Sequence, residues 1–161
     1  MNTLGIDNGI SGALALVGEL GNLVMWIPMP IQKTRKGNEV NVCAVWSWLV
    51  ENNILPGNAT VVIEEPGGSK SAKAASSMAG SFHALRSIFS IKDYKLVRTT
   101  PQAWQKSLLK CKAGDTKPVA LTLAKSLWRA EKWLSTERCS KPHDGAIDAA
   151  LIAEWARREK L

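Results

Sequence analysis

The chain has 161 residues, 45% of them hydrophobic and 22% charged, with a formal net charge of +7. That size predicts one domain over residues 1–161 with a real core, and the composition excludes a disordered or low-complexity polypeptide. No run reaches the ~18 uninterrupted apolar residues of a membrane span, and the N-terminus lacks the basic and apolar regions of a secretory signal. Cys43, Cys111 and Cys139 are far apart and lack CxxC or Cys/His spacing. Neither a zinc site nor a disulfide framework follows, and a reducing cytoplasm is the expected location.

In chain order, Thr3–Asp7 and Gly12–Val17 are two apolar strands, with Asn8-Gly9 early in the turn between them. Gly21-Asn22 marks a second turn, and Leu23–Ile27 is a third strand ended by Pro28 and Pro30. Three strands on short turns predict an antiparallel meander. Residues 31–39, with Lys33, Arg35, Lys36 and Gly37, are expected to form a polar basic loop. Val42, Val45, Trp46, Leu49 and Val50 recur at helical spacing, so about 41–53 is an amphipathic helix broken by Pro56-Gly57-Asn58. Thr60–Glu64 is a strand apolar on both faces, which argues for a central, covered place in a sheet.

After Pro66-Gly67-Gly68-Ser69, an Ala- and Ser-rich helix is expected over about 71–90. Ala74, Ala75, Met78, Ala79, Phe82, Leu85, Ile88 and Phe89 form its apolar stripe, which could serve self-association or pack on the chain's own sheet. Tyr94–Val97 is another strand. Thr100-Pro101 is a good cap and first-turn pair for a helix through Leu108. Lys110–Gly114 is a basic loop, and Asp115-Thr116-Lys117-Pro118 opens a helix running to Trp128. Residues 131–143 read as irregular, and Asp144–Lys160 as a final helix with Ile147, Leu151 and Trp155 on one face. The spacing of Trp46, Trp128 and Trp155 makes them core residues, whereas Trp104, beside Lys106, could touch nucleic acid. A meander followed by alternating helices and strands predicts an α/β layered fold with a mixed sheet.

Charge is unevenly placed. Between Lys92 and Lys141 there are 12 Lys/Arg against four acids, so the remainder of the chain is slightly acidic. Acids stand at the ends of three apolar segments: Asp7, Glu64/Glu65 and Asp144/Asp148. A carboxylate in such a segment is costly unless a partner or metal compensates it. Four carboxylates from three elements suit two divalent ions ~3.5–4 Å apart, the arrangement used for in-line phosphoryl displacement. Glu64 and Glu65 point to opposite faces of their strand, so one of them at most joins Asp7. Asp144 and Asp148 share a helical face; Asp144 alone would be explained by the helix terminus, Asp148 beside Leu151 less well. His143 either assists a metal or simply precedes a helix cap.

Gly5-Ile6-Asp7-x-Gly9, Val62-Ile63-Glu64 and His143-Asp144-Gly145-x-x-Asp148-Ala149 resemble the RuvC-type Holliday junction resolvases, in particular their phage-like branch, within the ribonuclease H-like superfamily. Pro101-x-x-Trp104-Gln105-Lys106 and Gly114-Asp115-x-Lys117 fit the same pattern, so the resemblance covers nearly the whole chain. It implies a ribonuclease H-like mixed sheet flanked by helices, and a homodimer that nicks four-way DNA junctions with two Mg²⁺ ions, Mn²⁺ substituting. It implies metal ligation by Asp7, Glu64, Asp144 and Asp148, with Lys106 and Lys117 near the scissile phosphate. The basic segments add Lys70, Lys73, Lys110 and Lys112 as expected DNA contacts, and the 71–90 helix as the expected dimer surface. A bacterial or phage-infected cell would be the setting.

Three departures stand out. Asn8 occupies a place where many relatives have Pro, and the last two acids are four apart, as suits the phage-like branch. No aromatic wedge lies between Glu64 and Phe82. The rival expectations are the same chemistry on flaps, forks or RNA–DNA hybrids, and a catalytically silent junction-binding protein.

Overall fold

The computed structural model describes residues 1–35, 37–68, 71–111 and 115–161. Its centre is a five-stranded sheet in the order β3-β2-β1-β6-β7, formed by β1 (Asn2–Asp7), β2 (Ala13–Val17), β3 (Leu23–Pro28), β6 (Ala59–Glu64) and β7 (Lys95–Thr99). Strands β1, β2 and β3 form the expected antiparallel meander, and β6 and β7 add parallel strands beside β1. Between the meander and β6 come β4 (Ile31–Thr34), β5 (Gly37–Val40) and α1 (Val42–Glu51). Residues 31–39 are therefore not a loop: β4 and β5 pair antiparallel as a separate hairpin. Its charged side chains hid the alternation that marks a strand, and only Val40 is buried.

Strand alternation divides the core. Leu4, Ile6, Val61 and Ile63 face α1 and α2 (Ala72–Ile91), packing with Val45, Leu49, Phe82, Leu85 and Phe89. The opposite face carries Ala13, Ala15, Val17 and Val62 against α3 (Pro101–Leu108), α4 (Thr116–Leu127) and α5 (Asp144–Arg158). Here small residues replace large ones because α5 lies directly on the sheet. A Cβ added at Gly5 would come 2.0 Å from the Ala149 carbonyl oxygen and 2.7 Å from the Ala153 nitrogen. Gly5 thus lets the middle of α5 settle on β1, which fixes the height of everything α5 carries.

The α2 stripe is split in use. Phe82, Leu85 and Phe89 are buried in the chain's own core, so Phe82 is not available to a partner as the sequence suggested. Ala75, Met78 and Ala79 remain partly exposed, and Ala74 is exposed. The amide of Asn8 donates to the Met78 carbonyl at 3.0 Å, tying this half of the helix to the end of β1. Among the described residues, no helix is long and apolar enough to cross a membrane.

Candidate active site

Both β1 and β6 end on an acid, and the parallel register places those acids side by side. Ile6 pairs with Ile63, so Asp7 and Glu64 are the next residues on neighbouring strands. Asp7 shares its face with Gly5, and Glu64 with Val62, so both carboxylates project toward α5. Glu65 points the other way and pairs with Arg98 at 3.4 Å. Of the two acids on that strand, Glu64 is the one brought to Asp7.

Helix α5 arrives at the same place by its N-terminus. A Cβ on Gly145 would stand 2.6 Å from the Ser11 carbonyl oxygen and 2.9 Å from the Asp7 carboxylate. The glycine therefore allows the first turn of α5 to touch the β1–β2 loop and Asp7, bringing Asp144 and Asp148 to the group. His143, not Asp144, is the N-cap: its Nδ1 accepts from the Ala146 amide at 3.1 Å. Its ring lies tilted against Trp26, which in turn stacks on the buried Trp133. The Trp133 carbonyl accepts from the His143 amide at 2.7 Å, so this aromatic group anchors the entry to α5.

Electrostatics show the cost of the arrangement. Burial raises the Asp7 carboxyl well above its ordinary value, and the neighbouring Glu64 and Asp148 raise it further. Asp148 is pushed up to about 7 by burial, then by Glu64 and Asp144. Burial likewise raises Glu64, opposed by a hydrogen bond that Trp104 Nε1 donates to its carboxylate at 2.6 Å. Trp104 is fully buried, so it cannot touch nucleic acid; it holds Glu64 instead. The sequence hid this because Trp104 precedes Lys106 by two residues, which on a helix points the two side chains about 200° apart. Lys117 supplies the opposing cation, donating from Nζ to Asp144 at 2.6 Å. That hydrogen bond, then the Asp144 charge, raises the Lys117 ammonium.

The remaining expected residues are dispersed. Lys106, Lys73 and Lys110 are exposed, the first on α3, the second in the first turn of α2 and the third just past α3. Lys70 and Lys112 lie outside the described residues. The basic stretch is not one surface, since Lys95 opens β7 at the opposite end of the sheet from Lys117.

A hard-oxygen donor set of this kind suits Mg²⁺ or Mn²⁺ rather than a soft-ligand metal. Among the described residues, no three His, Cys, Asp or Glu side chains already converge into a coordination sphere. This is compatible with Mg²⁺, which is ordinarily held by one or two carboxylates while water and substrate phosphate complete its shell.

Sheet order and flanking helices define a ribonuclease H-like fold. Within it, the chain superposes on RuvC of Thermus thermophilus with a TM-score of 0.63 and 15% identity, covering 99% of this chain and 97% of that one. T. thermophilus RuvC solved in complex with a Holliday junction substrate gives 0.62 and 16% identity, covering 99% and 96%. No family model and no curated protein sequence matches the chain.

Proposed function

We propose that this protein is a metal-dependent endonuclease that nicks branched DNA, with the four-way junction as its substrate, and that it is a RuvC-type resolvase of the phage-like branch. The observation that carries the reading is the Asp7–Glu64–Asp148 group. Three largely buried carboxylates meet where the ends of β1 and β6 reach the start of α5; burial raises all three, and the Glu64 charge raises Asp7 and Asp148 further. Folding alone gains nothing from such repulsion; a site for divalent cations does. The full-length likeness to a protein solved on a Holliday junction points to the same substrate class.

Two Mg²⁺ ions held by Asp7, Glu64, Asp144 and Asp148, with Mn²⁺ able to substitute, would supply Lewis acidity at the phosphodiester and a more acidic water beside it. The chain's own residues do the rest. Trp104 locks the Glu64 side chain so that its free oxygen is fixed before substrate arrives. Lys117 is exposed and needs only to exchange an Asp144 oxygen for a phosphate oxygen to neutralise charge developing in the transition state. The His143 cap holds the first turn of α5, and with it Asp144 and Asp148, in register with Asp7. Lys106, Lys73, Lys110, Lys70 and Lys112 contact the DNA backbone.

A four-way junction has approximate two-fold symmetry, so two copies related by a C2 axis through α2 match its two nicks. Within the apolar stripe of α2, Ala74, Ala75, Met78 and Ala79 are open to such a partner. The test is substitution at the acids: Asp7→Asn and Glu64→Gln should abolish cleavage and preserve junction binding, with Glu65→Gln active. If Glu65→Gln is dead and Glu64→Gln active, the assignment on β6 is wrong.

A further inference from the structure

We propose that the β4–β5 hairpin is a cationic arm that grips the phosphate backbone of a duplex arm of the substrate, because it leaves the sheet at the same end as the acid group; this rests on the nuclease reading above. The strand register places it there. Asp7 pairs with Ala13 and Ala13 with Pro28, the last residue of β3, so the hairpin begins two strands from Asp7. At ~4.8 Å per strand that is about 10 Å, and a four-residue strand reaches about 13 Å further. The root of the hairpin therefore stands about a third of a turn of B-form duplex from the acids.

The hairpin is firmly based, with β5 also touching α2, and its charged side chains are open to solvent. The Met29 amide donates to the Gly12 carbonyl at 2.9 Å and the Asn41 amide to the Pro30 carbonyl at 2.8 Å, closing its root on the β1–β2 loop and on α1. Val40 is its anchor in the core, while Lys33, Arg35, Gly37, Asn38 and Glu39 are exposed. A hairpin that buries so little adds little to the stability of the fold. Cross-strand pairing puts Lys33 opposite Asn38 and Glu39 opposite Gln32. The hairpin's one acid is thus on the face away from Lys33. Among the described residues, neither Lys33 nor Arg35 has an ion-pair partner. Its anchors Met29 and Val40 pack on the α1–α2 face of the sheet, and cations displayed in this way, at the same end of the sheet as a site that handles phosphodiesters, are matched by a polyanion.

The experiment measures binding of a labelled four-way junction and a labelled linear duplex over a salt series, in EDTA so that cleavage does not enter. Lys33→Ala/Arg35→Ala is compared with wild type and with Lys95→Ala/Lys160→Ala, a control at the other end of the sheet. Losing two phosphate contacts should make the slope of log affinity against log salt shallower by about 1.8 per bound subunit, and weaken binding roughly tenfold or more near 0.1 M salt. The control should match wild type. An unchanged slope in the hairpin variant, or an equal loss in the control, overturns the proposal. So does a change in sedimentation of the hairpin variant, which would make the arm a contact between copies of the chain. Salt-dependent hairpin binding by a wild-type protein that never cleaves would sink the nuclease reading and leave the arm standing.

Discussion

Asp148→Asn should make the metal-free protein more stable, not less. Burial together with Glu64 and Asp144 raises this carboxyl from 3.8 to about 7, a difference of roughly three pH units, or about 4 kcal/mol of cost carried by the charged form. The sign follows from linkage: a raised folded-state pKa favours the fold at low pH, and that advantage is lost as pH rises from about 4 through about 7. Asparagine has the same shape without the charge, but its amide must also be accommodated, so a gain of about 1–3 kcal/mol is expected at pH 8 in EDTA. For a chain of this length that corresponds to about 2–12 °C in Tm. At pH 5 wild-type Asp148 is already protonated and the gain should vanish. Millimolar Mg²⁺ should also shrink it, since only the wild type recovers the cost by binding the cation. Thermal unfolding at pH 5 and pH 8, with and without Mg²⁺, reads all four conditions. A variant less stable than wild type at pH 8 in EDTA would refute the view that these acids are held against their own repulsion.

Three other substitutions probe separate links. Trp104→Phe removes the donor to Glu64 and opens a small gap, so it should cost about 1–3 kcal/mol of stability and weaken Mg²⁺ binding, measured by titration calorimetry; undiminished metal affinity would make Trp104 a core residue only. Lys117→Ala should lower the cleavage rate at saturating DNA by on the order of 10²-fold or more with little change in affinity, whereas a loss confined to affinity would make it a plain backbone contact. Ala79→Glu should convert dimers to monomers and leave DNA binding weaker and less salt-dependent; sedimentation of the wild type as a 17.5 kDa species with full activity would contradict the dimer.

Much of this architecture was legible because its signals are local. The β1–β3 meander, the covered β6 strand and the Thr100-Pro101 start of α3 follow from alternation, turn residues and capping, and each stands where expected. The opposite orientations of Glu64 and Glu65 followed from the period of a strand. What stayed hidden depends on contacts distant in the chain. Trp104 reaches Glu64 across 40 residues, and nothing in its own neighbourhood marks it as a donor to a carboxylate. Phe82 belongs to an apolar stripe whose outer and inner edges cannot be told apart until the sheet beneath it is placed. His143 caps α5 with a ring nitrogen where Asp144, a far commoner cap, stands next to it. The 31–39 hairpin escaped because exposed charged strands lack the apolar alternation that sequence reading relies on.

The central claim is tested most directly by incubating the wild-type protein with a panel of end-labelled DNAs, namely a four-way junction, a flap, a linear duplex and an RNA–DNA hybrid, with Mg²⁺ and with EDTA. The account predicts paired, symmetric nicks in the four-way junction that require Mg²⁺ and disappear in Asp7→Asn, with the linear duplex intact. Tight junction binding with no cleavage in Mg²⁺ or Mn²⁺, or cleavage that persists in EDTA, would contradict it.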